Sequence, residues 1–187
     1  MRHISVAPAT VGGKMAYFLF KCWHERLFRL KREQAIFQKS DLDIEMVPIT
    51  QENVGLVRDL RGDIYEEQFR YQLSLGDFGY YAFYNAEPVG YGWVKHPGSD
   101  DYFFKIGEGC VYLCRFFVHS SMRGHGIYPE LISALIQKEN TAQTFYIAVE
   151  RGNESSKRGL KKVGFKFVKE YGFIRGFKKT FNMKFLK

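Results

Sequence analysis

Cysteine is scarce in this chain. Cys22, Cys110 and Cys114 are the only three among 187 residues, an odd number that cannot all pair, at spacings that fit no zinc pattern. A disulfide scaffold and a structural zinc site are therefore excluded as organising principles. Long apolar runs are absent too: the N-terminal segment 15–33 is unbroken only from Met15 to Phe20, far short of the ~20 residues that a membrane-spanning helix needs. There is no G-x-G-x-x-G, which removes the usual dinucleotide fingerprint, and no Gly-Lys-Ser/Thr, which removes the P-loop. No internal repeat, low-complexity tract or cleavable secretory signal is recognisable, so a reducing cytoplasm is the expected setting.

What the chain does have is core. Hydrophobic residues make up 45% and aromatics 17% of it, which suits one packed domain that folds without metals or disulfides. The net charge of +8 is unevenly spread. Residues 1–39 carry eight Lys/Arg against two acids, 40–110 five against thirteen, and 111–187 fifteen against five. Two basic ends around an acidic middle suggest a polyanionic partner, whether nucleic acid, lipid headgroup or phosphate-bearing cofactor.

Periodicity places the elements. Residues 15–33 mix large apolar side chains with Lys21, Arg26, Arg29, Lys31 and Arg32. They read as an amphipathic helix, packed on the domain or a partner subunit, or lying on an anionic membrane surface. Residues 34–40 and 43–49 read as short strands. Thr50 reads as the cap of a helix over 50–60, and 64–73 as a second helix. An antiparallel hairpin turns at the Asn85-Ala86-Glu87-Pro88 segment, and residues 97–109 form a loop. Strands follow at 111–120 and 144–150, a helix at 129–139 with Leu131/Leu135 and Ile132/Ile136 four apart, a short basic helix at 153–164, and a terminal strand pair. The order is α/β or α+β.

The segment Arg123-Gly-His-Gly-Ile-Tyr-Pro129 lies between a strand and a helix. A helix N-terminus there presents unpaired N–H groups and the positive end of the dipole. Gly124 and Gly126 let a phosphate approach the backbone, and Arg123 and His125 add positive charge. Pro129 suits a first helical turn. This stretch resembles the central signature of the GNAT superfamily of acyl-CoA-dependent N-acyltransferases, a strand, R/Q-x-x-G-x-G/A and a helix, with Tyr128 in place of the last small residue. A second family motif, N-x-x-A/S followed by Y-x-K-x-G-F, is matched by Asn153, Ser156, Lys162, Gly164 and Phe165.

The resemblance implies a mixed, mostly antiparallel sheet flanked by helices over residues 41–187, with 1–40 as a basic N-terminal extension of helix and short strand. It implies acetyl-CoA or another acyl-CoA as co-substrate. Arg123, Gly124, His125, Gly126, Ile127 and Tyr128 would face its pyrophosphate, and Phe117, Val118, Asn153 and Ser156 its pantetheine arm. Lys157, Arg158, Lys161 and Lys162 are candidates for the ribose phosphate. Two features that the family often uses are missing. Residues 112–118 are similar to the corresponding strand of spermidine/spermine acetyltransferases, but Cys114 and Arg115 replace its two carboxylates, and Leu160 stands at the usual tyrosine position.

Strict alternation puts Tyr112, Cys114 and Phe116 on one face of strand 111–120, and Leu113, Arg115 and Phe117 on the other. Tyr112 and Cys114 are therefore the candidate catalytic residues, with Glu150 and Tyr171 as further candidates; His119 and His125 are expected beside the cofactor. The acceptor region implied by the family holds Asp59, Asp63, Glu66, Glu67 and Asp77 among Arg58, Arg61 and Arg70, so cationic and anionic acceptors both stay open. The Arg123–Pro129 stretch, together with the basic N-terminal segment, is similar to acyltransferases found among bacterial surface-polysaccharide enzymes, which suggests a sugar-linked amine such as an amino sugar as acceptor; an amino acid derivative is the other candidate. A catalytically silent CoA-binding module and a basic membrane-surface or nucleic-acid binder are the alternatives. A second copy of the chain is a candidate partner; nucleic acid is not expected.

Overall fold

The computed structural model describes residues 20–98, 106–176 and 179–183. Eight strands form one sheet: β1 (Phe20–Lys31), β2 (Glu45–Pro48), β3 (Phe78–Tyr84), β4 (Glu87–Lys95), β5 (Cys110–Val118), β6 (Thr144–Glu150), β7 (Lys166–Gly176) and β8 (Lys179–Met183). Their order across the sheet is β2-β3-β4-β5-β6-β1-β7-β8. All neighbours are antiparallel except β5 and β6, which run parallel. Among the described residues, four α-helices accompany the sheet: α1 (Val57–Arg61), α2 (Ile64–Ser74), α3 (Ile127–Lys138) and α4 (Glu154–Val163).

The helices cover both faces of the sheet. On one, α3 and α4 bury Ile132, Leu135, Ile136, Leu160 and Val163 against Leu113, Phe145, Ile147 and Phe28. The four-apart apolar stripe of α3 is what seats it there. On the other face, Val57 of α1 and Phe69 of α2 pack on Tyr81, Tyr91, Trp93, Tyr112 and Cys114. The Phe69 ring meets Tyr91 and Trp93 edge-on at 4.8 and 4.9 Å. The β3–β4 hairpin turns through Asn85 and Ala86, both with positive φ (51° and 63°). That left-handed pair matches the twist of the two strands.

Residues 20–31 correct the helical reading of the N-terminal segment, whose residues 15–19 lie outside those described. They form β1, inserted between β6 and β7 and antiparallel to both. The amphipathic helix, and the membrane contact argued from it, thereby lose their geometric basis. The physical reason is two-sided burial. Phe28 and Leu30 join the core beneath α3 and α4, while Leu27 packs with Tyr171 on the opposite face. A strand covered on both faces loses the clean period of two that marks a half-exposed one. Just beyond β1, the Arg32 guanidinium donates to the carbonyls of Ile136, Glu139 and Ala142 and lies 5.1 Å from the Phe145 ring centroid. It thus satisfies carbonyls at the C-terminal end of α3.

Two smaller readings also change. Residues 35–40 are irregular rather than a strand; the Gln38 N–H bonds Ser133 Oγ and the Ser40 N–H bonds the Glu130 carboxylate. Thr50 caps nothing. Instead Asn53 Oδ1 accepts the Thr50 N–H at 2.8 Å while its amide donates to the Pro48 carbonyl, and a short 3-10 turn leads into α1.

Candidate active site

The parallel pairing of β5 and β6 runs only from Cys110/Thr144 to Leu113/Ile147. Both strands continue beyond it, β5 to Val118 and β6 to Glu150, so they diverge and leave a gap in the sheet. A bulge contributes to the divergence. Tyr91 pairs with Phe117 and Trp93 with Cys114, so Arg115 and Phe116 together oppose Gly92. Arg115 takes φ 51° there. The extra residue reverses the facing of everything after it. Phe117 therefore lies with Tyr112 and Cys114 on the α1/α2 face, and Phe116 joins Leu113 on the α3/α4 face. This corrects the strict alternation expected from the sequence. Gly92 is the local cause and the missed signal: a Cβ there would lie 2.4 Å from the Phe116 ring.

A cavity of about 1310 Å³ fills the gap and is lined by residues from both faces. On the α3/α4 side it meets the glycine stretch. His119 to Met122 make a short turn, after which Gly124 (φ 100°) and Gly126 (φ 78°) take left-handed conformations and Gly126 caps α3. No side chain caps this helix. The first intrahelical bond is from the Glu130 N–H to the Gly126 carbonyl. Among the described residues, no partner takes the N–H groups of Gly124, His125, Gly126, Ile127 and Tyr128. Gly124, Gly126, Ile127 and Tyr128 all line the cavity. Unpartnered donors, the helix dipole and room for a ligand coincide here, an arrangement chemically suited to an anion.

Arg123, Arg158 and Lys162 bring positive charge to the same end. Of the four basic residues considered on α4, Lys157 is turned inward, donating to the Arg151 carbonyl and the Glu154 carboxylate, and Lys161 does not line the cavity. The His125 ring points away from it, bonding Asp41 Oδ1 at 3.0 Å, and His119 bonds Ser121. Only the backbone of His125 belongs to the glycine loop. Phe117 and Val118 line the gap from β5, and Asn153 and Ser156 from α4. Asn153 Oδ1 is engaged in capping α4 through the Ser156 N–H at 3.1 Å, which leaves its amide as donor. Tyr128 crosses from α3 to α4. Its hydroxyl bonds Ser156, its ring stands 5.2 Å from Phe116, and it occupies the space that a Cβ on Gly159 would need.

The α1/α2 side of the cavity has different chemistry. Tyr112, Cys114, Glu25 and Glu150 line it, together with Arg61 and Arg115. Glu25 of β1 sits directly opposite Glu150 of β6. Burial, and then repulsion from Glu150, push the Glu25 carboxyl up to about 7. Tyr112 is almost fully buried, and that burial raises its phenol well above the ordinary range despite a hydrogen bond from the Ala148 backbone. It therefore stays protonated at physiological pH. Cys114 belongs to the aromatic cluster with Trp93 and Phe69. Tyr171 pairs with Glu25 across β1 and β7 but is buried among Leu27, Tyr146 and Ala148. Leu160 is a core residue.

Glu25 escaped the sequence reading because its partner is 125 residues away in the chain and only the register of β1 on β6 joins them. A signal existed: it is one of two acids in a stretch of 39 residues with eight bases. The acids expected at the acceptor region do not line the cavity. Glu66 is held by Arg58 and Arg70, and Asp77 is buried, accepting the His96 N–H. Among the described residues there is no cluster of His, Cys, Asp and Glu able to hold a metal, and no helix long and apolar enough to cross a membrane.

A family model described as the acetyltransferase (GNAT) family matches residues 47–165, more than half of the chain. No curated protein sequence matches significantly. Among solved structures, a conserved protein of unknown function from Staphylococcus epidermidis superposes with a TM-score of 0.62 at 12% identity, covering 94% of this chain and 70% of that one. An aminoglycoside N-acetyltransferase solved with CoA gives 0.54 at 17% identity, over 72% of this chain and 93% of that one. A glucosamine N-acetyltransferase region within a fungal multi-domain β-N-acetylglucosaminidase gives 0.60 at 12% identity, over 91% of this chain and 24% of that one. Likeness at such identities shows the fold.

Proposed function

Because the chain belongs to the GNAT acetyltransferase family, we propose that it moves an acetyl or other short acyl group from acyl-CoA to the primary amine of a small molecule such as an amino sugar or amino acid derivative. The observation that carries this reading is the set of unpartnered amides at Gly124 to Tyr128, opening into a cavity that runs through the sheet to Tyr112 and Glu25. The fit to acyl-CoA is chemical. A diphosphate suits the amides with Arg123, Arg158 and Lys162, and a thin arm suits the gap between β5 and β6. Acyl-CoA, when bound, supplies the acyl group as a thioester.

The protein's own groups then divide the proton work. Glu25, poised near neutrality, accepts a proton from the acceptor ammonium so that the nitrogen lone pair is free to attack. Tyr112 keeps its proton and donates a hydrogen bond to the departing sulfur, which takes up the proton that the attacking nitrogen sheds as the amide forms. Cys114 serves packing. The alternative of a catalytically silent CoA-binding module rests on the missing carboxylate at 114 and the missing tyrosine at 160. Glu25 and Tyr112 bring the same functional groups from β1 and β5.

The test is thiol release from acetyl-CoA across a panel of amino sugars, amino acids and polyamines. Amine-dependent release is the expected result. Saturable CoA binding with no release above the amine-free rate would leave the binding-module reading.

A further inference from the structure

Arg61 and Arg115 stand apart from the other arginines around the helices α1 and α2. Arg58 and Arg70 are both paired with Glu66, and elsewhere Arg26 and Arg151 are paired with Glu170. Among the described residues, neither Arg61 nor Arg115 has a carboxylate within ion-pair distance, yet both line the cavity. Each is held in place by neutral groups. The Arg61 guanidinium lies 4.3 Å from the Tyr65 ring centroid and 4.7 Å from that of Phe117, and donates to the Tyr65 hydroxyl. Arg115 projects from the bulge and donates to Gln68 Oε1 at 3.0 Å. Arg61 ends α1 and bonds Tyr65 of α2, and Arg115 bonds Gln68 of α2, so the two lie on the same wall.

This wall is on the α1/α2 side, as Phe117 is, while Arg123, Arg158 and Lys162 serve the α3/α4 end, where the cofactor's phosphates are assigned. The opposite wall carries Glu25 and Glu150, and Tyr112 and Cys114 line the space between. One wall is thus anionic and the other cationic, across the point where the acyl group would be transferred. An ammonium group belongs against the carboxylates. Two guanidiniums without carboxylate partners fit an oxyanion, for which the planar fork of arginine is suited.

The geometry points to a second subsite, formed by Arg61 and Arg115, for a carboxylate or phosphate group carried by the amine acceptor. This subsite rests on the acyltransferase reading above and narrows its acceptor to amines that also bear a negative charge.

The experiment uses matched acceptors with acetyl-CoA: alanine against alaninamide for the carboxylate, and glucosamine 6-phosphate against glucosamine for the phosphate. The readout is the ratio of kcat/KM within each pair, compared between wild type, Arg61→Ala and Arg115→Ala. Comparing ratios between proteins cancels differences in amine basicity. In at least one pair the wild-type ratio is expected to favour the charged member, and to fall by about tenfold or more in each variant. Arg61→Lys and Arg115→Lys should fall in between, because a lysine keeps the charge but not the fork. The pair that responds identifies carboxylate or phosphate. Ratios that are the same in wild type and both alanine variants, for both pairs, overturn the subsite while leaving the transferase standing. If no acceptor releases thiol, calorimetry with the same four amines decides. Binding of a charged member that is lost in the alanine variants keeps the subsite and removes the transferase; binding that is absent or unchanged removes the subsite as well.

Discussion

Glu25→Gln is expected to lower kcat by between about 100- and 10,000-fold, the range over which a positioned base acts, and to make the protein more stable at alkaline pH. Both effects have one origin. The carboxylate is held partly buried beside Glu150, which raises its pKa from the ordinary 4.5 to about 7. Between those two values the folded protein holds a proton that the unfolded chain has already released. Stability therefore falls as pH rises from 4.5 to 7, and the full penalty remains above 7. Glutamine keeps the shape and carries no charge, so the penalty disappears. Thermal midpoints of Glu25→Gln and wild type should coincide near pH 4.5 and separate by pH 8, with the variant higher.

The same group is expected to shape the rate profile. Wild-type kcat/KM should climb with pH through about 7, as Glu25 becomes able to accept a proton, and Glu25→Gln should lose that limb. Glu150→Gln removes the repulsion that contributes to the shift, so it should move the limb to lower pH. A limb that survives in Glu25→Gln would assign the base elsewhere.

Gly126→Val is expected to weaken CoA binding by at least about 100-fold, measured by calorimetry, with the fold checked by circular dichroism. Gly126 has φ 78° and is the first residue of the α3 cap. An L-residue is strained in that conformation, and a β-branched one most of all. Relaxing the strain turns the amides away from the cavity. The new side chain would also crowd the backbone of Lys39 and Ser40, 3.4 to 3.5 Å from the position of a Cβ. Gly124→Ala is the companion variant in case Gly126→Val does not fold. Gly124 takes φ 100°, so an alanine is strained there too and relaxing it would re-aim the amides, while its Cβ meets nothing within 4 Å that would oppose folding. Wild-type affinity in either folded variant would mean that the loop does not bind the diphosphate.

Which parts of this architecture were legible in the sequence follows from what each residue packs against. The hairpin at Asn85, strand β6 and the apolar stripe of α3 were readable because each is fixed by its own neighbours in sequence. The conformation of the glycine loop was readable for the same reason: Gly124, Gly126 and Pro129 prescribe a backbone path without help from distant residues. β1 was not, since Leu27 and Phe28 are covered from opposite faces of the sheet and the pattern resembles a buried helix. The facing of Phe116 and Phe117 depended on the bulge, and the bulge depends on Gly92 in another strand. Glu25 depended on both kinds of long-range information. It lies outside the stretch matched by the family model, and only the insertion of β1 beside β6 brings it to the cavity.

The acyltransferase proposal stands on the amides of Gly124 to Tyr128 gripping the diphosphate of acyl-CoA. The most direct measurement is the amide spectrum of nitrogen-15-labelled protein titrated with acetyl-CoA. The amide protons of Gly124, His125, Gly126, Ile127 and Tyr128 are expected to move downfield together as they donate to phosphate oxygens, while those deep in α3 hold still. Saturable binding of acetyl-CoA that leaves these five resonances where they were would contradict it.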